Sequence, residues 1–443
     1  MKKLLCGLLL AGAAQTAAAA AADLLSVYRE AQSADSVYAS ARASYSATQE
    51  KLPQGLSGLL PTVSAAGNTQ YNDRDLTFRS GGAPGGAVRY NSNSVSVTAT
   101  QPLFRMQNWI TYEQAKNQVS QGEAVFLQAN QDLIVRVAQA YFDVLLAQNN
   151  VTLAATQKAA FAEQLAQAKR NFEVGTATIT DANDAQARHD LAVSQEIAAQ
   201  NDLEVKRQSL QPIIGRVPPE LALLSARFVP QVPTPNSMDA WVEQASKSSL
   251  QVRIAQSALE IAGQDVSKNR GGHLPTLDAV ASYVETGQGA GVVTNVGAFD
   301  SKTSFIGLQL AVPVYQGGLV NSKVREALAN QEKARQDLEF TRRTVALSTR
   351  SSFLGVTSGM AQIKALEVAL VSGQSSLDST KLGQEVGVRT QVDVLNAQQQ
   401  LTTTRRDYAQ AIYTYAINVL KLKAAAGTLS DDDVSFVNQW LGN

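Results

Sequence analysis

Cysteine is nearly absent from this 443-residue chain: the only one is Cys6. It lies in an N-terminal segment in which Lys2 and Lys3 precede an apolar run from Leu4 to Ala14 and an alanine tract ending at Ala22. Charge, apolar centre and small-residue exit predict a Sec-type signal peptide over residues 1–22, cleaved near Ala22. The exported chain then has no thiol, no disulfide and no cysteine metal site. Aromatics are scarce at 6%, which excludes a thick globular core and favours helices packed through Ala, Ser, Thr and Gln. Nothing after residue 22 has the 18 or more apolar residues of a membrane helix, so any membrane crossing is expected as β-strands. Charge of one sign is lacking too. Without Lys2 and Lys3 the chain has 36 basic against 38 acidic residues, which argues against nucleic acid as a partner.

Proline is absent from long stretches. All twelve prolines fall at 53, 61, 84, 102, 212, 218, 219, 230, 233, 235, 275 and 313. Proline costs ~3 kcal/mol inside a helix, so the proline-free stretches permit very long ones. Gln107 to Phe172 contains one glycine, Gly122, and as a helix would run roughly 100 Å. Leu133, Val137, Ala140, Val144, Ala147, Val151 and Ala154 form a heptad seam. A second seam, Ile134, Ala138, Tyr141 and Leu145, runs beside it. Two seams let one helix contact neighbours on both sides, as a closed cylinder of helices requires.

What is present is a repeat. FEVGTATITDANDAQ (172–186) returns as QEVGVRTQVDVLNAQ (384–398), 212 positions later. Leu60-Pro61-Thr62 returns as Leu274-Pro275-Thr276, and Gln101-Pro102-Leu103-Phe104 as Val312-Pro313-Val314-Tyr315. Each copy reads as a helix, a strand hairpin, a long helix and a return helix. The first repeat spans 23–215, with its hairpin at about 62–104, its long helix at 107–172 and its return helix at 180–211. The second spans 238–427, with hairpin 275–315, long helix 319–385 and return helix 391–426. A proline-rich linker (216–237) joins them and a tail (428–443) follows. Leading helices are expected at Leu24–Gln49 and Met238–Val266. Gly175 and Gly387 suit the turns after the long helices.

Alternation of period two marks the hairpins: Val63, Ala65, Gly67, Thr69 and Tyr71 on one face, and Val95, Val97 and Ala99 beside them. Ile306, Leu308, Leu310 and Val312 repeat the pattern. Strands of about ten residues suffice to cross an outer membrane at a tilt. The connecting segments, SGGAPGG (80–86) and GQGAGVV (287–293), suit exposed hairpin tips. Four strands cannot close a barrel, because membrane barrels begin at about eight, and lipid does not tolerate an open edge. Oligomerisation follows, and three chains would supply twelve strands.

The order of elements, the paired phrases VGTATITD (174–181) and VGVRTQVDVLNAQ (386–398), and LLPT (59–62) with HLPT (273–276) together resemble the TolC family of outer-membrane channel proteins. The resemblance covers the whole exported chain. It implies a mainly α protein with membrane β-structure: a homotrimer with a twelve-stranded barrel in the outer membrane, continuous with a periplasmic α-helical barrel. It also implies an exit duct for type I secretion or multidrug efflux, without cofactor or catalysis. The implied partners are outer-membrane lipid, a periplasmic adaptor, and an ABC or proton-driven transporter of the inner membrane.

Carried over by position, Asp181 and Arg389 are the expected latch that shuts the periplasmic end, with Thr180 beside them. Gln384 stands where the family often has a latch tyrosine. Asp393 is the expected acidic ring at the constriction; Asn396 occupies the next ring position, so one carboxylate ring is expected rather than two. Val174, Gly175, Thr176, Val386, Gly387 and Val388 are the expected adaptor-docking turns. A local alternative stands beside these roles: Thr180 and Asp181 as helix N-caps, and Asp393 as a first-turn acid. His189 and His273 lack metal-ligand spacing. Trp109, Tyr71, Tyr90, Tyr283 and Tyr315 suit interfacial girdles or junction packing. No Ser/His/Asp set or phosphate loop is present. A secreted coiled-coil adhesin is the alternative reading, and it gives no reason for two strand hairpins.

Overall fold

The structure, a computed structural model, describes residues 21–77, 79, 85–225, 228–290 and 297–442. The expected signal peptide through residue 20 lies outside the described residues. So do 80–84 and 291–293 of the expected loops. The chain divides into two compact units, one comprising Arg42–Phe126 and Leu250–Arg343, the other the remaining segments.

The first unit holds the sheet. Strands β1 (Thr62–Leu76), β2 (Gly86–Phe104), β3 (Thr276–Gln288) and β4 (Phe299–Ala311) pair antiparallel in sequence order. At 13 to 19 residues they exceed the ten or so expected. The ladder continues through polar pairs such as Asn72–Tyr90 and Asp73–Arg89 towards the hairpin end. The register puts Val63, Val97, Tyr283, Ile306 and Leu308 on one face. That face is bare: Val63 is 71% and Ile306 85% exposed. The other face carries Ser64, Ser94, Ser96, Thr98 and Ser282, with the Thr98 and Ser282 hydroxyls 3.0 Å apart. Among the described residues β1 pairs only with β2 and β4 only with β3, so both outer strands present unpaired edges. At the sheet's base, after a bulge between Pro102 and Phe104, Arg105 forms a bidentate pair with the buried Asp278 (2.9 and 2.6 Å).

The second unit is helical. The leading helix expected over Leu24–Gln49 is instead broken into α1 (Leu24–Ala34) and α2 (Ser36–Gln49). Asp35, 4% exposed, leaves helical geometry, accepts from the Tyr38 N–H at 2.6 Å and pairs with Arg136 at 2.8 Å. A short helix, α3 (Lys51–Ser57), follows in the sheet unit. Long helix α4 (Met106–Glu173) returns through α5 (Ile179–Ile214). The expected helix Met238–Val266 is likewise split, at Ser249, into α6 (Met238–Ser248) of this unit and α7 (Leu250–Arg270) of the sheet unit. Long helix α8 (Leu319–Glu385) returns through α9 (Gln391–Ala425).

Most of the two heptad seams of α4 is the buried stripe of this unit: Leu133, Ile134, Val137, Ala138, Tyr141, Val144 and Leu145 are each at most 1% exposed, whereas Ala140, Val151 and Ala154 of the first seam are only half-buried. Helices α4 and α5 meet through Leu165, Ala168 and Ala185. Helices α8 and α9 meet through Leu377, Val394 and Leu401. Contrary to the expectation that nothing after residue 22 reads as a membrane helix, part of α8 does reach the length and mean hydropathy (1.3) of one. Its Val and Leu residues alternate with Ser, Thr and Gly, so the average is apolar without an unbroken apolar run. The expected tail contains a further helix, α10 (Asp431–Asn438). Behind it Trp440 packs against Phe228, Tyr415 and Phe436. The linker is pinned as well: Leu221 bridges to Ala22, Leu224 to Leu441, and the Ala222 carbonyl accepts from Tyr141 at 2.8 Å.

Candidate functional site: the two helix turns

The recurring phrase folds the same way twice. At the end of α4, Gly175 takes φ 76°, and the Thr176 N–H reaches back to the Asn171 carbonyl at 2.8 Å. At the end of α8, Gly387 takes φ 79°, and the Val388 N–H reaches the Gly383 carbonyl at 2.9 Å. A left-handed residue that closes a six-to-one bond is the usual glycine stop of a helix. Each return helix then opens on a capping box. Thr178 N–H donates to Asp181 Oδ2 (2.9 Å), and the Asp181 N–H donates to Thr178 Oγ1 (3.3 Å). Thr390 and Asp393 do the same at 2.9 and 3.2 Å. The T-x-x-D spacing in both copies is the signal that could have found these boxes, and the sequence reading missed it. The N-cap is therefore Thr178. Thr180 is an exposed second residue of α5, and Asp181 is the box partner rather than the cap itself.

The boxes hold both acids ionised. Hydrogen bonds from the Thr178 side chain and backbone keep Asp181 below the ordinary carboxylate range. For Asp393 the Thr390 backbone N–H leads, followed by the Thr390 hydroxyl, with a smaller contribution from the charge of Arg389. These depressed values place full ionisation well below neutral pH.

Asp181 and Arg389 form no ion pair within one chain among the described residues. Arg389 instead lies along α8: a Cβ added at Gly383 would stand 2.8 Å from its Cγ. Gln384 donates to the Gln391 side chain. Asn396 accepts from Arg188 at 2.9 Å, a partner that sequence reading did not single out. The turn valines are open to solvent, Val174 at 72%, Val386 at 66% and Val388 at 75%, while Thr176 Oγ1 donates to the Asn171 carbonyl at 3.1 Å. His189 sits 3.2 Å from Asp190, and His273 3.2 Å from Asn321. Among the described residues no cluster of three or more His, Cys, Asp or Glu side chains is placed to hold a metal.

This twice-built frame has counterparts. The family described as Outer membrane efflux protein matches residues 27–216 and 241–428, one match per repeat. The chain belongs to that family. It is 33% identical over its full length to the outer membrane protein TolC of Escherichia coli, of which it covers 90%. It is 29% identical to the proteases secretion protein PrtF of Dickeya chrysanthemi, with 89% of this chain and 86% of the relative aligned. The Campylobacter jejuni CmeC outer membrane channel has the same fold, with a TM-score of 0.79 at 16% identity, over 95% of this chain and 90% of that one. This outer membrane efflux protein is thus an exit duct of the cell outer membrane that serves secretion and efflux and reaches into the periplasm. Its mainly helical fold, with one four-stranded sheet per chain, is that of the channels.

Proposed function

We propose that three copies of the chain, exported by the 1–22 signal, close their sheets into a twelve-stranded barrel. This barrel would be a passive duct with no chemistry of its own. One observation carries this reading: a four-stranded sheet with a bare apolar face and two unpaired edges. In lipid such edges are costly unless paired, and joining β1 of one copy to β4 of the next removes all of them. The energy for transport then comes from an inner-membrane ABC or proton-driven transporter, coupled by a periplasmic adaptor. The exposed turns, with Val174, Gly175 and Thr176 in one and Val386, Gly387 and Val388 in the other, are the surfaces offered to that adaptor. The gate is read at the same turns, with Thr180, Asp181 and Arg389 as a latch made between chains and Asp393 as a ring of three carboxylates. A relative named for protease secretion supports polypeptides among the cargo.

Membrane fractionation with bilayer recording tests the reading. Heat-modifiable trimers in the outer membrane that give stepwise conductance are expected. An extended, detergent-independent particle without conductance would favour the coiled-coil adhesin instead.

A further inference from the structure

We propose that a pocket beneath the proline-rich linker binds a neutral aromatic molecule of a single ring. The inference does not rest on the duct, because every wall lies within the helical unit. Helix α9 supplies one side: Tyr415, Val419, Leu422 and Lys423 recur at i, i+4, i+7 and i+8, one face of a helix. The other helical walls are Trp241 of α6, Val356 of α8, Phe436 of α10 and Trp440 just beyond it. Of these side chains Tyr415, Leu422, Trp241, Val356 and Trp440 are buried. The linker contributes residues 231–234, of which Gln231, Val232 and Thr234 are exposed. The pocket thus has a covered floor and a mouth at the linker.

Size, wall chemistry and charge together define the ligand. The cavity measures about 170 Å³. An apolar cavity of roughly 150 Å³ stays dry and takes up benzene, so this space suits one ring and not two. Three polar groups of the walls are already engaged. The Tyr415 hydroxyl donates to the Gln231 carbonyl at 2.6 Å and accepts from the Gln231 N–H at 2.9 Å. Trp241 Nε1 donates to the Pro235 carbonyl at 2.8 Å, and Lys423 pairs with Asp433. What the walls still offer is ring surface. Trp440 already packs 5.3 Å from Phe436 and 6.0 Å from Tyr415, centroid to centroid, and a ligand ring extends the same contacts. Charge is disfavoured in either sign. An anion would have to draw Lys423 away from Asp433, a cation would meet the Lys423 ammonium, and both would lose water on entry. The Tyr415–Gln231 bonds tie the mouth to the floor, so a bound ring is held beneath the linker.

Tryptophan fluorescence of the full-length protein tests the site. The chain has three tryptophans, so Trp109→Phe leaves Trp241 and Trp440, both in the pocket walls, as the reporters. The probe is para-iodophenol, whose iodine quenches an indole that it touches. Saturable quenching is expected. Val419→Phe fills the cavity from α9 and is expected to weaken binding roughly ten-fold. The anion para-iodobenzoate, with the same ring, is expected to bind roughly ten-fold more weakly than the phenol. Val419→Ala widens the cavity and is expected to bind an iodinated naphthol several-fold more tightly than the parent does. That variant decides the matter if Val419→Phe fails to fold, which thermal unfolding reveals. Quenching that rises linearly and equally in all variants, as collision or uptake into detergent produces, would overturn the site. So would saturable quenching that no change at position 419 alters, because the ligand would then lie elsewhere. Benzoate bound as tightly as the phenol would overturn the neutral class, and with it the proposal.

Discussion

The turn at 171–181 and the turn at 383–393 are one piece of backbone built twice, yet they carry different side chains. Glycine stop, reach-back bond, N-cap threonine and capping-box aspartate match to within about 0.1 Å in their corresponding hydrogen bonds. The residues that differ are those the backbone does not need. Asn171 and Ala177 in the first turn stand where the second has Gly383 and Arg389, and Asp184 stands where the second has Asn396. In the second copy a small residue on the helix makes room for a large one after it: the Arg389 stem crosses the Gly383 position. Shared residues thus serve the chain reversal, and differing residues are free to serve a gate.

The comparison is broken most strongly at Arg389. Arg389→Ser is expected to raise basal conductance and the permeation of large antibiotics several-fold, whereas Ala177→Ser, at the matching position, leaves both unchanged. Equal leakage from the two would mean that the turns are equivalent. A smaller effect is expected from Gly383→Ala. Alanine favours the helix by up to ~1 kcal/mol, yet its Cβ meets Arg389 Cγ at 2.8 Å and must displace it. A helix made more stable alongside a channel made leakier is the expected combination; unchanged conductance would show that the resting place of Arg389 does not matter.

The smallest effect lies in what the turns share. Thr178→Ala and Thr390→Ala should each cost about 1 kcal/mol of local stability. Hydrogen exchange in the first turns of α5 and α9 should then speed up roughly five-fold and equally. The matching pH dependence has a defined sign. Both aspartates are depressed below 3.8, so their contribution is complete above the ordinary carboxylate value. It is lost only as pH falls through the lowered folded value. Exchange protection at the two turns should therefore stay flat from pH 8 to pH 5; a midpoint inside that window would contradict the capping geometry.

Much of the architecture was legible because it rests on local rules. Proline-free stretches and paired heptads mark α4, and most of its seam residues from Leu133 to Leu145 form the buried stripe. Period-two alternation in β2 and β4 separates the apolar face from the hydroxyl face. The breaks at Asp35 and Ser249 were not legible, since neither carries glycine or proline. At Asp35 the side chain bonds Arg136, a hundred residues away, and this tertiary bond replaces helix continuity. Helix α10 was hidden in a short acidic stretch whose anchor, Trp440, finds its ring partners at Phe228 and Tyr415. At the turns the glycines and acids stood out, while the threonine caps were overlooked although their spacing was visible. The Arg188–Asn396 bond lay beyond any local pattern.

Asp393 offers the most direct test of the central claim, that identical frames carry different functions. It closes a capping box with Thr390, so Thr390→Ala, which removes the cap and keeps the carboxylate, controls for the loss of the cap in Asp393→Ala. In bilayer recordings with a multivalent cation on the periplasmic side, Asp393→Ala should relieve block while Thr390→Ala blocks like the parent. Relief by both variants, or by neither, would contradict the account.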